Sequence, residues 1–378
     1  MSKYFKTVII FALIFVNAFS VFSEDVKKPL TLSFTGDMMA HVINYSMSDY
    51  SLIYKDIEYL IKYDDLSFSN VEFPVNPFLR QASYPVFNIH PKYVKAAINA
   101  GIDVMSIANN HTNDQGTSGL LATVEAFNSL VQDYKSEGRD IYFAGASNTQ
   151  LEEPEIKTIN IKGWKIGYTS ATQFSNRKTE DKYLTIINIR DKDERQDYID
   201  WLSKAQKDYD LFILAFHGGV EYRTEPIKYK TLFFQQAADA GVDIIWSHHP
   251  HVVQPIDVIK YEDRETVIMN SMGNFISGQG RIADPVLPEE EWSYTGDSAI
   301  VQLKLSFDGK NPRLEKLSAI PIANIMDTNR DVVITPIEEL THRAVPEPWK
   351  SFFIQRFILM HDFFSRNIRY HESQVNLE

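Results

Sequence analysis

Five short apolar runs in this chain end in residues of one chemical kind, and that repetition restricts the fold more than any other feature. Asp37 closes the first run, Asn70 and Glu72 the second, and Asn109, Asn110 and His111 the third. His217 closes the fourth, and His248, His249 and His251 the fifth. The runs have the length of buried strands. Helical patterns alternate with them at 50–62, 91–100, 117–135, 194–207 and 230–240. Pro91 opens the second of these, and Leu120, Val124, Phe127, Leu130 and Val131 share one face of the third. Alternating strands and helices make an α/β fold with parallel strands. In such sheets ligands bind beyond the carboxyl ends of the strands, where these side chains would converge.

The pattern changes twice. Segments 156–161 and 165–170 flank Lys162-Gly163-Trp164 and read as a hairpin. Segments 252–259, 266–270, 299–307 and 314–321 read as further, antiparallel strands. The expectation is one mixed sheet, or two stacked sheets with helices outside. The expected organisation is a signal segment at 1–23, a domain at 30–325 and a C-terminal extension at 326–378. In the extension Trp349, Phe352, Phe353, Phe357, Met360, Phe364 and Ile368 recur near helical spacing. That amphipathic helix either packs onto the core or docks to a partner or membrane. At the other end Lys3 and Lys6 precede an apolar run, and Val21-Phe22-Ser23 precedes Glu24. This is the layout of a cleaved signal, with an uncleaved anchor as the alternative. Either places the rest outside the cytoplasm: periplasmic, on the cell surface or secreted.

Each strand end has an ordinary reading. Thr35-Gly36-Asp37 serves as a turn with a helix cap, Asn109-Asn110 as a turn pair, and His217-Gly218-Gly219 as a loop. Together, imidazoles, carboxylates and an Asn amide make the donor set of a divalent transition metal. The chain has 0 Cys, so thiolate ligation and disulfides are excluded. His249-Pro250-His251 is the most specific piece: in an extended segment, residues two apart face one side, so both rings would reach one centre. The net charge of -12 argues against a nucleic-acid partner.

The motifs TGDMM (35–39), SNVEFPV (69–75), SIANNHTNDQG (106–116), FHGGVEY (216–222), SHHPHVVQP (247–255) and NSMGNFISGQ (270–279) make the sequence resemble the bacterial poly-γ-glutamate capsule synthesis family of CapA type. That family is itself similar to calcineurin-like metallophosphoesterases. The resemblance implies a metallophosphoesterase-like sandwich of two mixed β-sheets flanked by helices. It implies metal ligation by Asp37, Glu72, Asn110, His217, His249 and His251, with one or two divalent ions (Mn, Fe or Zn). It gives His111 a proton to deliver to a leaving group, and puts Glu221, Tyr222, Arg223 and Asn274 at the substrate mouth. Three positions depart from the metallophosphoesterase pattern. Met39 stands where a His is usual, with His41 two residues on. Asn70-Val71-Glu72 replaces a Gly-Asp pair, and Ser247 precedes the histidines, which leaves His248 and His249 as alternative ligands.

Two functions follow from the resemblance. One is an exported metal-dependent hydrolase or transferase acting on an anionic cell-envelope polymer such as poly-γ-glutamate. The other is a non-enzymatic polymer-binding, assembly or export factor of a membrane-bound capsule synthesis complex. A nucleotide phosphodiesterase fits the fold but not the altered motifs. Arg80, Arg177, Arg223 and Arg281 lie in loops within reach of a polyanion, and Arg223, close to His217, is the first of them to test. The stretch 281–295, rich in Pro and Glu, reads as a lid or a disordered loop.

Overall fold

The computed structural model describes residues 27–179, 182–279 and 295–373. The expected signal at 1–23 and nearly all of the 281–295 stretch, Arg281 included, lie outside those residues.

Two mixed sheets stack face to face. The first has the order β14-β13-β12-β1-β2-β3-β4, with β11 also paired to β1. Its strands are β1 (Leu30–Met38), β2 (Leu66–Val71), β3 (Val104–Ser106), β4 (Tyr142–Ala144), β11 (Asn274–Ile276), β12 (Asp297–Phe307), β13 (Pro312–Met326) and β14 (Val332–Pro336). The second has the order β15-β9-β10-β8-β7-β6-β5. It comprises β5 (Lys157–Ile161), β6 (Trp164–Thr172), β7 (Leu211–His217), β8 (Ile244–His248), β9 (Ile256–Lys260), β10 (Glu265–Met269) and β15 (Ile368–Glu372). Strands β1 to β4 run parallel, as do β6, β7, β8 and β10, so the carboxyl ends within each parallel set point the same way.

Leu32, Phe34, Phe68 and Val104 of the first sheet meet Ile166, Tyr168, Ile213 and Trp246 of the second in one buried layer. Phe34 stacks on Phe68 with ring centroids 4.5 Å apart. The Trp246 indole satisfies its N–H across the layer by donating to the Thr35 carbonyl at 2.7 Å. Outside the first sheet lie α1 (Pro91–Ala100) and α2 (Gly116–Ser136). Outside the second lie α3 (Lys192–Ala205) and α4 (Lys228–Asp239). Of the two architectures left open by the sequence, the stacked sheets with outer helices are the one formed.

Two local expectations are corrected. The helix expected at 50–62 is a 3-10 turn, Tyr50–Tyr54, and a single α turn, Glu58–Ile61. Ile57 leaves helical geometry between them, next to Asp56, whose carboxylate is held by Thr335 of β14 and by Arg343. The strand expected from 252 begins only at Ile256, because the histidine loop before it turns back on itself.

Residues from 326 onward enter both sheets. β14 pairs with β13, and β15 lies parallel to β9 with Ile368 opposite Ile256. Between them run α5 (Ile337–His342) and α6 (Trp349–Asn367). α6 buries Phe352, Phe353, Met360 and Phe364 in the layer between the sheets, the packed alternative for this helix. Arg356 is buried with them and pairs with Asp297. Among the described residues no helix is long and apolar enough to cross a membrane.

Candidate metal centre

The strand ends meet where the two stacked sheets face each other. Asp37 lies at the end of β1, in register with Asn70 of β2 on one side and Asn274 of β11 on the other. His217 and His248 are register partners at the ends of β7 and β8. Gly36 permits the approach of β11: a Cβ there would stand 1.8 Å from the Gly273 carbonyl, and Asp37 N donates to that same oxygen at 2.9 Å.

His249 and His251 reach the centre by a route other than the extended one. Their φ values are +97° and +59°, so Pro250 sits between two left-handed residues in a tight loop. Non-glycine residues adopt such angles only when their surroundings over-determine them, at a cost of ~1–3 kcal/mol each. Here His249 N donates to the Asp37 carboxylate at 3.3 Å, and Tyr222 N donates to the Pro250 carbonyl at 2.8 Å. The two rings converge, with centroids 5.9 Å apart.

Four overlapping sets have ligand atoms within 4.8 Å of one another: Asp37, His217 and His248; Glu72, His217 and His249; Glu221, His249 and His251; and Asp37, Glu72 and His251. His248 thus groups with Asp37 and His217, and His249 with Glu72 and His217 or with Glu221 and His251. His251 Nδ1 lies 3.2 Å from Asp37 Oδ2 and 3.0 Å from Asn274 Oδ1, which leaves Nε2 facing Glu72 Oε1 at 3.8 Å. His217 Nε2 lies 2.8 Å from Asn110 Oδ1 and 3.5 Å from Glu72 Oε1. The Asn70 amide donates to Asp37 Oδ1 at 2.8 Å and is itself steadied by Asn109. His41 is in none of the four sets; its Nδ1 accepts the Gly278 N–H at 3.1 Å.

The electrostatics suit a cation. Glu72 is fully buried, and neither carboxylate oxygen accepts a hydrogen bond from a donor among the described residues. Burial, then the Asp37 charge, then Glu221, push its carboxyl well above the usual range. Burial also pushes Asp37 up, but the His251 hydrogen bond and charge, His248 and the Asn70 amide outweigh it and hold Asp37 low. Burial, reinforced by the neighbouring histidines, holds His217 well below its ordinary value. Burial takes His248 and His249 down to about 3. Neutral imidazoles keep a lone pair for a metal at neutral pH. Among the described residues, both nitrogens of His248 and Nδ1 of His249 lack a hydrogen-bond partner, as the Glu72 oxygens lack a donor. Buried polar atoms without partners are costly, and a divalent ion bound between Glu72 and His249 would take up a Glu72 oxygen and one imidazole lone pair.

The other expected residues surround this cluster. His111 Nδ1 is 2.7 Å from Asp114 Oδ2, which also accepts the Phe87 N–H. Asn176 approaches both His111 nitrogens, at 3.4 and 3.5 Å, and its Oδ1 accepts from Asn110. Exposed Glu221 and half-buried Tyr222 stand at the mouth, and the Tyr222 ring lies 6.1 Å from His251. Burial, with Glu221 beside it, pushes the Tyr222 hydroxyl up to about 12. Exposed Arg223 contributes its carbonyl to Gln254. Asn274 directs its amide to Gln279 and the Thr295 carbonyl, and its oxygen to His251.

Sequence reasoning missed Asp114, Asn176 and Lys230. Asp114, three residues after His111, carries a signal, since that spacing closes a side-chain pair within one turn. Lys230 carries none: it is fully buried on α4, donates to the Asn270 carbonyl at 2.7 Å, and burial takes its amine down to about 7.

Two mixed sheets between helices, with an Asp, Glu, Asn and His cluster beyond the parallel strand ends, define an α/β sandwich with the donor set of a divalent-metal centre. Residues 31–279 match the family described as Bacterial capsule synthesis protein PGA_cap, and the chain belongs to that family. It is 28% identical over 330 residues to Capsule biosynthesis protein CapA of Bacillus anthracis, covering 80% of this chain and 72% of that one. It is 28% identical over 336 residues to PGA biosynthesis protein CapA of Bacillus subtilis (strain 168), covering 87% and 76%. The calcineurin-like phosphoesterase YfkN from Bacillus subtilis aligns at 14% identity over 88% of this chain and 98% of that chain, with a TM-score of 0.42.

Proposed function

We propose that the chain is an exported metal-dependent hydrolase or transferase acting on an anionic cell-envelope polymer such as poly-γ-glutamate, in capsule biosynthesis or processing. The observation that carries this reading is Glu72, a buried carboxylate with no hydrogen-bond donor among the described residues, close to a second buried carboxylate and neutral histidines. Without a cation that arrangement opposes folding.

Asp37, Glu72, Asn110, His217, His251 and either His248 or His249 would hold one or two ions of Mn, Fe or Zn. A divalent ion there supplies Lewis acidity toward a phosphoryl or acyl oxygen and offsets the protein's negative charge. The Asn70 amide and the His249 N–H fix the Asp37 oxygens. Asp114 fixes the ring and tautomer of His111, so that Nε2 can pass a proton to a departing group. Tyr222 and Glu221 border the entrance. Export rests on the N-terminal sequence, and a membrane-bound synthesis complex is the partner this reading implies.

Elemental analysis of the purified chain tests the proposal, with wild type beside Asp37→Ala and His251→Ala. The expected result is about one to two equivalents of Mn, Fe or Zn in wild type, lost in both variants. It should be accompanied by turnover of a phosphoester or γ-glutamyl substrate. Wild type without metal, and without thermal stabilisation on adding divalent ions, sinks the metalloenzyme reading and leaves polymer binding alone.

A further inference from the structure

Beside the centre lies a cavity of about 610 Å³ whose lining includes Gln173, Phe174, Arg177, Lys178, Arg190 and Gly219. It shares its wall with the site. Gln173 N donates to the His217 carbonyl at 2.8 Å, and Gln173 Oε1 accepts the Gly219 N–H at 3.1 Å. The Phe174 ring meets the His249 ring edge-on at 5.1 Å. Asn176, next to Arg177 in sequence, is the residue that contacts both Asn110 and His111.

The charge of this cavity runs against that of the chain. Among the described residues its lining includes Arg177, Lys178 and Arg190 and no carboxylate, in a protein of net charge -12. None of these three cations forms an ion pair among the described residues. Arg190 is steadied over the Tyr229 ring at 5.2 Å. Arg177 packs against Gly116 at the start of α2: a Cβ on that glycine would come within 3.1 Å of its guanidinium carbon. Arg223, across the mouth, is a weaker candidate, because Glu221 and Glu225 flank it and Glu225 already pairs with Arg369.

We infer that this cavity is a second anion subsite, which holds a neighbouring anionic repeat of the polymer while one repeat occupies the centre. The inference rests on the polymer reading above and goes further by assigning the recognition of chain length to Arg177, Lys178 and Arg190. Guanidinium groups match carboxylate and phosphate geometry, and a local cationic concavity steers a polyanion toward a protein that repels it elsewhere.

The test is binding of labelled γ-linked glutamate oligomers, one short and one long, and of polyphosphate, to the full chain loaded with metal. Wild type is compared with Arg177→Gln, Lys178→Gln and Arg190→Gln, singly and combined, with metal content measured on every sample. Wild type should prefer the long oligomer. The triple variant should lose about tenfold or more of that affinity and much of its salt dependence, while its metal content and its affinity for the short oligomer stay unchanged. Preference for polyphosphate, lost in the triple variant, keeps the subsite and assigns its anion to phosphate. Long-oligomer binding that stays within about twofold of wild type in a metal-replete triple variant overturns the subsite and leaves the polymer reading standing. Wild type that holds metal but binds none of these polyanions overturns the polymer reading itself. The single variants supply the comparison if the triple variant fails to fold.

Discussion

Replacing Glu72 by Gln should reverse the usual effect of damaging a buried site. The substitution keeps the shape and removes one of two carboxylates whose ligand atoms lie within 4.8 Å of each other. At that distance and an effective dielectric of ~20, two unit charges repel by about 3.5 kcal/mol. The metal-free wild type bears that repulsion or takes up a proton to avoid it, so the net relief is smaller, about 1–3 kcal/mol. For a chain of 378 residues, at ~2.1 cal/mol/K of unfolding entropy per residue, each kcal/mol moves Tm by only ~1.3 °C. In excess chelator, Glu72→Gln should therefore melt about 1–4 °C above wild type. Manganese at a hundred times its Kd adds about 2.7 kcal/mol to a protein that binds it, or ~3.5 °C, and should do so in wild type only. The two melting curves then exchange order between chelator and metal. Scanning calorimetry of both proteins in both buffers reads this directly. A variant that melts below wild type in chelator, or one that gains as much from manganese as wild type does, refutes the argument that Glu72 is a ligand held under repulsion.

Asp114→Asn should leave metal content unchanged and lower turnover by about 10²-fold, because the amide no longer fixes the His111 ring and tautomer; loss of metal together with activity would make Asp114 a structural residue instead. Lys230 supplies a pH test. Burial depresses its folded pKa to about 7, below the unfolded value near 10.4, so the unfolded state binds more protons between those limits. Stability of wild type should climb with pH from about 7 toward 10, and Lys230→Met should lack that component. Urea unfolding in chelator at mildly acidic, neutral and basic pH checks this, and parallel profiles for the two proteins would refute it.

The alternation of strand and helix was legible because both faces of the central strands are covered, which writes them as unbroken apolar runs such as 211–216 and 244–246. The cluster was legible for the same reason: polar residues after such a run stand out, and Asp37, Glu72, His217, His248, His249 and His251 from those ends come together in the fold, whereas their assignment as metal ligands came from the family resemblance. The short and edge strands were not. β4 and β11 have three residues each, too few for a period, and β15 is placed by β9, a partner distant in sequence. The convergence of His249 and His251 was expected on the wrong backbone, since nothing in His-Pro-His announces two left-handed residues. Lys230 was illegible because one lysine within an amphipathic pattern reads as a solvated side chain. The cavity beside the centre was missed because Arg177 and Arg190 come from opposite ends of one connection and meet only in the folded chain.

The pairing of β15 with β9 has a consequence for the order in which the molecule can be completed. A chain made from its amino terminus presents the whole candidate cluster, Asp37 to Asn274, well before residues 368–372 exist. Until those residues arrive, the β9 edge is an open row of amides and carbonyls, able to capture a strand from a second chain. β15 thus acts as a latch, and a chain cut short within α6 would carry the candidate site without the closure, which points to aggregation as its failure.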